Sequence, residues 1–226
     1  MTIQRFACSG YHVAAAVTAA DSPLAIYILS PYDGLDVWLG QTAERYGLNI
    51  VAISNIDWDN DLSPWPEAGV PTGSQPFAGE APEFLKSLTT RIIPDIERRM
   101  AMKNVTERDL VGVSMSGLFA MWQWAVCGEF RNVISLSGSF WYKGFADWFD
   151  IHMTSKPGGT RAFLLLGKQE PNAPVPQFRS VGVMTERVVG RLKAVGIDTE
   201  FHWVPGNHYQ HGIERLDMAF NSIYGH

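Results

Sequence analysis

GVSMSG, at residues 112–117, is the stretch of this sequence that decides the fold. It follows a short apolar run and precedes a helical pattern, with small residues two positions before and two positions after its first serine. This arrangement is typical of a nucleophile elbow, a sharp strand-to-helix turn that points the serine hydroxyl out of the sheet. Gly112 and Ser116 are the small residues, although glycine is more usual than Ser116 at the second position. The stretch predicts Ser114 as a nucleophile and Ser116 as a structural residue; the alternative is a Gly/Ser-rich turn without chemistry.

Short apolar runs alternate with helical patterns along the rest of the chain. Continuous apolar runs indicate strands buried on both faces of a sheet. Their alternation with helices predicts a mostly parallel, doubly wound α/β sheet flanked by helices. The predicted strands are 24–29, 49–53, 110–113, 132–136, 162–166 and 201–204. The predicted helices are 36–46, 80–102 with a kink or break at Pro94, 118–127 and 181–194, and an antiparallel edge hairpin is expected over 4–18.

The composition limits the classes of function. The chain has 226 residues, of which 46% are hydrophobic and 18% charged, as expected for one compact domain over 1–226. The net charge is -5, which gives no basic surface for nucleic acid or for an anionic membrane. No apolar run approaches the roughly 18 residues of a membrane span, and no signal peptide is expected. Cys8 and Cys127 are the only cysteines, and we interpret them as reduced thiols of a cytoplasmic protein.

A serine hydroxyl needs a base to remove its proton, and histidine is the usual one. His208 belongs to a Pro-Gly-Asn-His turn directly after the last predicted strand, at the carboxyl edge where the elbow also lies. His211, three residues further on, is the alternative base, and a residue at the start of a helix is the other interpretation of it. The two histidines have no third ligand nearby in the sequence, so we expect no metal ion and no cofactor.

The acid partner of the histidine is expected after the preceding strand, because the chain order in such enzymes is serine, acid, histidine. Glu170 follows Gly167 at the end of the apolar run 162–166 and is the candidate. A carboxylate in this place holds the useful tautomer of the imidazole and stabilises its protonated form. Asp147 and Asp150 are weaker candidates because they precede that run, and Asp198 falls at the opposite edge of the sheet.

Two further features are expected to complete the site. The backbone N–H of Met115 faces a developing oxyanion, and the segment 30–34, after the first buried strand, is placed to supply a second donor. Two long segments, 55–79 and 140–160, are interpreted as loops that wall the substrate site. Aromatic residues in them are candidate substrate contacts; the alternative is that their rings pack on the core. These candidates are Trp58, Trp65, Trp141 and Tyr142.

Several of these motifs, in this order, resemble the putative esterase family of α/β hydrolases, which includes esterase D and the enterochelin esterases. The resemblance runs over 24–220 and rests on ILSPYDG at 28–34, the elbow, LSGSFW at 136–141, Gly167 with Glu170, and GNH at 206–208. It implies the α/β-hydrolase fold, a triad of Ser114, His208 and Glu170, and an oxyanion hole formed by the backbones of Met115 and Gly34. Ser116 and a short N-terminal region depart from the family pattern.

These residues predict a serine esterase that cleaves a small-molecule carboxylic ester through an acyl-enzyme. Ser114 attacks the carbonyl carbon, and His208 carries the proton to the leaving alcohol. Two alternatives remain open at this stage. A thioesterase or acyltransferase would use the same fold and the same residues, and a catalytically silent binding protein would keep the fold without the reaction.

Overall fold

A computed structural model describes residues 2–31 and 33–225 of the chain. Tyr32, in the segment expected to supply an oxyanion donor, lies outside these residues. The backbone forms one eight-stranded sheet with the order β1-β2-β4-β3-β5-β6-β7-β8. The strands are β1 Gln4–Cys8, β2 Tyr11–Ala16, β3 Leu24–Leu29, β4 Asn49–Ser54, β5 Glu107–Val113, β6 Val133–Leu136, β7 Arg161–Gly167 and β8 Asp198–Val204.

The sheet is parallel from β4 to β8 and antiparallel at one edge, where β1 and β2 form the expected hairpin. The chain runs from β3 to β4 on one side and then to β5 on the other side, so the strand order reverses at β3. Leu29 of β3 pairs with Gly112 of β5. The loops after these two strands therefore leave the sheet together at the switch point, where sheets of this type bind their ligands.

The helices cover both faces of the sheet, as the strand–helix alternation predicts. One face packs against α1 and α7, and the other packs against α2 to α6. The helices are α1 Asp36–Tyr46, α2 Ala81–Ser87, α3 Ile93–Arg99, α4 Met115–Val126, α5 Phe145–His152, α6 Val181–Ala194 and α7 Gly212–Tyr224. One expectation needs correction: α5 lies within the segment 140–160, which the sequence indicates as a loop. The helix expected over 80–102 is divided into α2 and α3 close to Pro94, where a kink or break is expected.

Pro94 explains the division of the second helix. Proline has no N–H and clashes with the carbonyl four residues earlier, so an unbroken α-helix cannot pass through it. The chain makes a π-helical turn over Leu88–Ile92, and the N–H of Ile93 donates to the Leu88 carbonyl five residues back. No helix in the described residues is long and apolar enough to cross a membrane.

Candidate active site

Ser114 stands at a strained turn between β5 and α4. Its φ of 58° and ψ of -121° lie in a region that L residues rarely adopt. The turn also brings β5 against the first turn of α4. A Cβ at Gly112 would lie 2.0 Å from the Ser116 carbonyl oxygen, and a Cβ at Gly117 would lie 2.8 Å from Ser135 Oγ. Glycine at both positions therefore permits the close approach that turns the Ser114 side chain out of the sheet.

Ser116 stabilises the elbow through its hydroxyl. The residue is fully buried, and its Oγ accepts a hydrogen bond from the N–H of Val113 at 2.7 Å. Its own proton faces two acceptors, the carbonyls of Leu29 at 2.8 Å and Val113 at 2.9 Å. Ser116 thus joins the elbow to the end of β3, which gives the departure from glycine a structural reason.

Ser114, His208 and Glu170 come together at the carboxyl edge of the sheet, from the turns after β5, β8 and β7. Ser114 Oγ lies 3.0 Å from His208 Nε2. The other ring nitrogen, Nδ1, lies 2.8 Å from Glu170 Oε2. With the Nδ1 proton held by a carboxylate, Nε2 is free to accept the serine proton. The side chain of His208 is 32% exposed and that of Glu170 is 3% exposed, so the imidazole is open to a bound molecule while the carboxylate is kept from water.

Glu170 is buried at the start of a short 3-10 turn over Glu170–Asn172. Burial by itself raises the pKa of this carboxyl, but hydrogen bonds from His208, Ser137 and the backbone N–H of Gly167 outweigh it, so the net pKa is below its ordinary value. Glu170 also forms a buried ion pair with Arg215 of α7 at 3.1 Å. The glutamate is therefore held as a carboxylate, the form that orients an imidazole.

The other candidate acids and the other candidate base have partners elsewhere. His211 lies directly before α7, its side chain is half exposed, and its Nδ1 is 3.7 Å from Glu214. Asp147 and Asp150 both pair with Arg187, at 2.7 and 2.5 Å. Asp198 pairs with Arg161 at 3.2 Å. The hydrogen bond of His208 with Glu170 distinguishes Glu170 from all of these carboxylates.

The two expected oxyanion donors lie in the turns on either side of the switch point. Met115 is the first residue of α4, so its N–H belongs to the unsatisfied donors of the helix start. Gly34 follows β3 with a φ of 107°, which favours glycine. The preceding Asp33 accepts hydrogen bonds from the Ser54 hydroxyl and the His12 ring. Those bonds lower the pKa of Asp33, and they tie the Gly34 turn to β2 and β4.

The four aromatic candidates fall into two groups. Tyr142 is 2% exposed, and its hydroxyl donates to the Trp65 carbonyl at 2.6 Å, so it packs in the core rather than on an open wall. Trp58, Trp65 and Trp141 are partly buried. Trp141 lies two residues after Ser139, whose Oγ is 3.4 Å from Ser114 Oγ, and its ring is 4.6 Å from that of Phe178. A substrate contact by these three tryptophans stays a prediction.

Sequence reasoning missed the polar support beneath Glu170. The Ser137 hydroxyl donates to Glu170 Oε1 at 2.7 Å, a contact that the motif LSGSFW does not by itself indicate. Arg215 lies in no motif, and the signal for its place is the helical spacing of Leu216, Ala219, Phe220 and Ile223 in α7, which marks a buried face. Among residues 2–31 and 33–225, no three His, Cys, Asp or Glu side chains are grouped so that they could hold a metal ion.

Comparison with solved structures defines the fold first. The chain superimposes on an IroE-like serine hydrolase from Shewanella oneidensis with a TM-score of 0.78 and 16% identity, over 99% of this chain and 80% of that one. A siderophore hydrolase, EstA, from Aspergillus nidulans gives a TM-score of 0.73 and 18% identity, over 99% and 93% of the two chains. The fold is therefore that of the α/β hydrolases.

Sequence comparison then gives the family. Residues 28–212 match the family model described as Putative esterase, so the chain belongs to this family. An uncharacterised protein of Bacillus subtilis (strain 168), YbbA, is 32% identical over 145 residues, which are 61% of this chain and 55% of that protein. The match thus spans about half the length of this curated relative.

Proposed function

We propose that this protein hydrolyses a carboxylic ester of a small molecule through an acyl-enzyme on Ser114, with His208 as proton carrier and Glu170 as its partner. One observation carries the proposal. Ser114 Oγ, the two ring nitrogens of His208 and Glu170 Oε2 form an unbroken line of hydrogen-bonding distances, 3.0 and 2.8 Å. These distances suit a serine hydroxyl, a weak nucleophile that a neighbouring base activates by removing its proton.

Each residue has a defined role in the proposed reaction. Ser114 Oγ attacks the ester carbonyl carbon while its proton passes to His208 Nε2. Glu170, on the other ring nitrogen, stabilises the imidazolium, which then gives the proton to the departing alcohol oxygen. A water molecule repeats the sequence on the acyl-enzyme and releases the acid. The backbone N–H groups of Met115 and Gly34 stabilise the negative oxygen of each tetrahedral intermediate.

The proposed substrate is a small ester whose acyl or aryl group contacts Trp141, two residues after Ser139. Trp141 and Phe178 form a ring pair with centroids 4.6 Å apart, and Trp141 follows the loop that contacts Ser114. Aromatic rings of this kind bind acyl or aryl groups by apolar contact. One structural neighbour is named for siderophore hydrolysis. A siderophore ester therefore belongs in the substrate panel, with p-nitrophenyl esters of rising acyl length and one thioester.

Replacing the nucleophile tests the proposal directly. We expect Ser114→Ala to lower kcat for p-nitrophenyl esters by about 10⁴-fold and to prevent labelling by a fluorophosphonate, because no other group can form the acyl-enzyme. Ser139→Ala is the matched control, since its hydroxyl lies 3.4 Å from that of Ser114. This control should still be labelled.

The panel also separates the alternatives. A folded wild-type protein that no fluorophosphonate labels would indicate a silent binding protein and contradict the proposal. Loss of labelling in Ser139→Ala, with retention in Ser114→Ala, would move the nucleophile. A preference of more than about 10-fold in kcat/KM for the thioester, or transfer of the acyl group to an added alcohol in place of water, would identify a thioesterase or an acyltransferase.

A further inference from the structure

We propose that Arg215 is a positioning residue of this site, which fixes the acid-bearing and base-bearing loops relative to each other and moderates the charge of Glu170. The inference rests on the proposed function. Arg215 belongs to α7, a helix that contributes none of the three reacting side chains, and only 4% of the residue is exposed. It contacts Glu170 directly and His208 only through the carbonyl of the preceding Asn207, so its role is to hold the acid and the base in place.

The guanidinium joins the loops that follow three neighbouring strands. Its Nη1 donates to Ser137 Oγ, after β6, at 2.5 Å, and to Glu170 Oε1, after β7, at 3.1 Å. Its Nη2 donates at 2.8 Å to the carbonyl of Asn207, the residue directly before His208 in the loop after β8. A planar guanidinium with fixed donor directions constrains all three partners at once, which a flexible ammonium group does not.

In this arrangement the two carboxylate oxygens of Glu170 accept hydrogen bonds from different partners. Oε1 accepts from Ser137 Oγ at 2.7 Å, from the Gly167 N–H at 2.8 Å and from Arg215. Oε2 is left for His208 at 2.8 Å. The carboxylate cannot rotate without losing several charge-assisted hydrogen bonds, so the direction of the bond to His208 is fixed. Gly167 leaves room for the guanidinium, because a Cβ there would lie 2.6 Å from Arg215 Nη2.

The charge of Arg215 has a second effect. The polar groups that contact Glu170 and His208 are Ser114 from the elbow, Ser137 from the loop after β6, Tyr209 beside the histidine and Arg215 from α7. Arg215 is the permanent cation among them. It opposes the positive charge that His208 gains when it takes a proton, and it offsets part of the attraction of Glu170. Removing this cation should favour the protonated form of His208.

A buried ion pair is weak evidence for stability, because desolvation of the two charges offsets their attraction. Within the described part of the chain, Arg215 Nε has no hydrogen-bond partner, which adds to the cost of burying this side chain. The three hydrogen bonds that Arg215 does form all go to loops of the site, at Ser137, Glu170 and Asn207. We infer that α7 carries an arginine at this position because of what it does for Glu170 and Asn207.

The test compares Arg215→Met and Arg215→Lys with a control that loses an arginine–glutamate pair elsewhere. Arg108→Met is that control, because Arg108 binds both oxygens of Glu97, at 2.7 and 2.8 Å, outside the site. We expect Arg215→Met to lower kcat by about 10- to 100-fold with KM changed less than about 3-fold. The acid limb of its kcat/KM profile should move up by about 1 pH unit. Arg215→Lys should restore part of kcat and part of the position of the acid limb. Arg108→Met should leave kcat and the acid limb unchanged.

Circular dichroism and thermal melting show whether each variant folds. A folded Arg215→Met enzyme with wild-type kcat and an unmoved acid limb would overturn the proposal. Should Arg215→Met fail to fold, Arg215→Lys and Ser137→Ala decide in its place, and wild-type kcat in both would overturn the proposal equally. The parallel Ser114→Ala measurement keeps the two claims apart: activity surviving in that variant contradicts the proposed function, not the role of Arg215 alone.

Discussion

The backbone of Ser114 stores strain that serves the orientation of its hydroxyl. A non-glycine residue in a sparsely populated φ/ψ region costs about 1–3 kcal/mol, and Ser114 has a φ of 58° and a ψ of -121°. Glycine adopts such angles without a steric penalty. The residue that makes the site reactive is therefore one that the fold accommodates at a cost.

This strain predicts different stabilities for two inactive variants of Ser114. We expect Ser114→Gly to be more stable than Ser114→Ala by about 1 kcal/mol, because relief of the strain exceeds the entropy that glycine adds to the unfolded chain. Both variants lack the nucleophile and should be inactive. Urea unfolding of the two proteins measures the difference. A Ser114→Gly protein less stable than Ser114→Ala would show that the turn is not strained.

At the same scale, the sequence identified the residues that carry motifs and missed those that do not. Ser114, His208 and Glu170 each follow a predicted strand, so topology alone placed them at one edge. Arg215 lies 45 residues from Glu170 and in no motif. Its contact with Glu170 depends on how α7 packs on the sheet, which the identities of single residues do not reveal.

At the scale of elements, the contact between β5 and α4 determines whether an elbow can form. A Cβ on Gly112 would meet the Ser116 carbonyl oxygen at 2.0 Å, so any side chain would push the strand and the helix apart. Gly128, just after α4, has nothing within 4 Å of the equivalent position. These two glycines differ in surroundings and not in chemistry, which makes them a matched pair.

We expect Gly112→Ala to lower the free energy of unfolding by about 3 kcal/mol, since overpacking of backbone against backbone cannot be relieved by a rotamer change. The displaced elbow should also lower kcat by at least about 100-fold. Gly128→Ala should leave both quantities nearly unchanged. Chemical denaturation and ester hydrolysis measure the pair. Equal stability of the two variants would contradict the close contact between β5 and α4.

Every strand predicted from the sequence recurs in the sheet, whereas the short helix α5 falls in a segment that the sequence indicates as a loop, and this difference has a physical reason. The buried strands are continuous apolar runs, a pattern that local composition reveals directly, and 24–29 matches β3 Leu24–Leu29 at both ends. The short helix α5 has eight residues, and buried Phe145 and Phe149 anchor it to the core. Helices this short are stabilised by tertiary packing rather than by propensity. The sequence of 140–160 therefore indicated a loop where packing makes a helix.

At the scale of the whole molecule, the sheet brings the reactive groups together and leaves the choice of substrate to the loops. The turns after β3, β5, β7 and β8 all open at one edge of the sheet. The predicted walls around that edge are the segment 55–79 and the region of α5. Their shape depends on packing between distant aromatic residues, such as Trp141 with Phe178, so the chemistry was readable from motifs while the substrate was not.

The free energy of unfolding should depend on pH through the buried carboxyl of Glu170. The pKa of folded Glu170 lies below its ordinary value of 4.5. A carboxyl with a lowered pKa in the folded state stabilises the protein fully above its unfolded pKa, and this contribution is lost as the pH falls through the folded value. Glu170→Gln removes the charge and leaves Arg215 buried without its anion, which should lower the free energy of unfolding near pH 7 by about 3 kcal/mol.

The difference between the wild type and Glu170→Gln should therefore be constant from about pH 7 to about pH 5.5 and shrink as the pH falls below about 4.5. Urea unfolding at four pH values down to about pH 3 measures it. Ser114→Ala is the control, because it changes the same site without removing an acid, and its difference from the wild type should not depend on pH in this range. A Glu170→Gln difference equally constant down to about pH 3 would mean that Glu170 is not held as a carboxylate by His208, Ser137 and the Gly167 N–H.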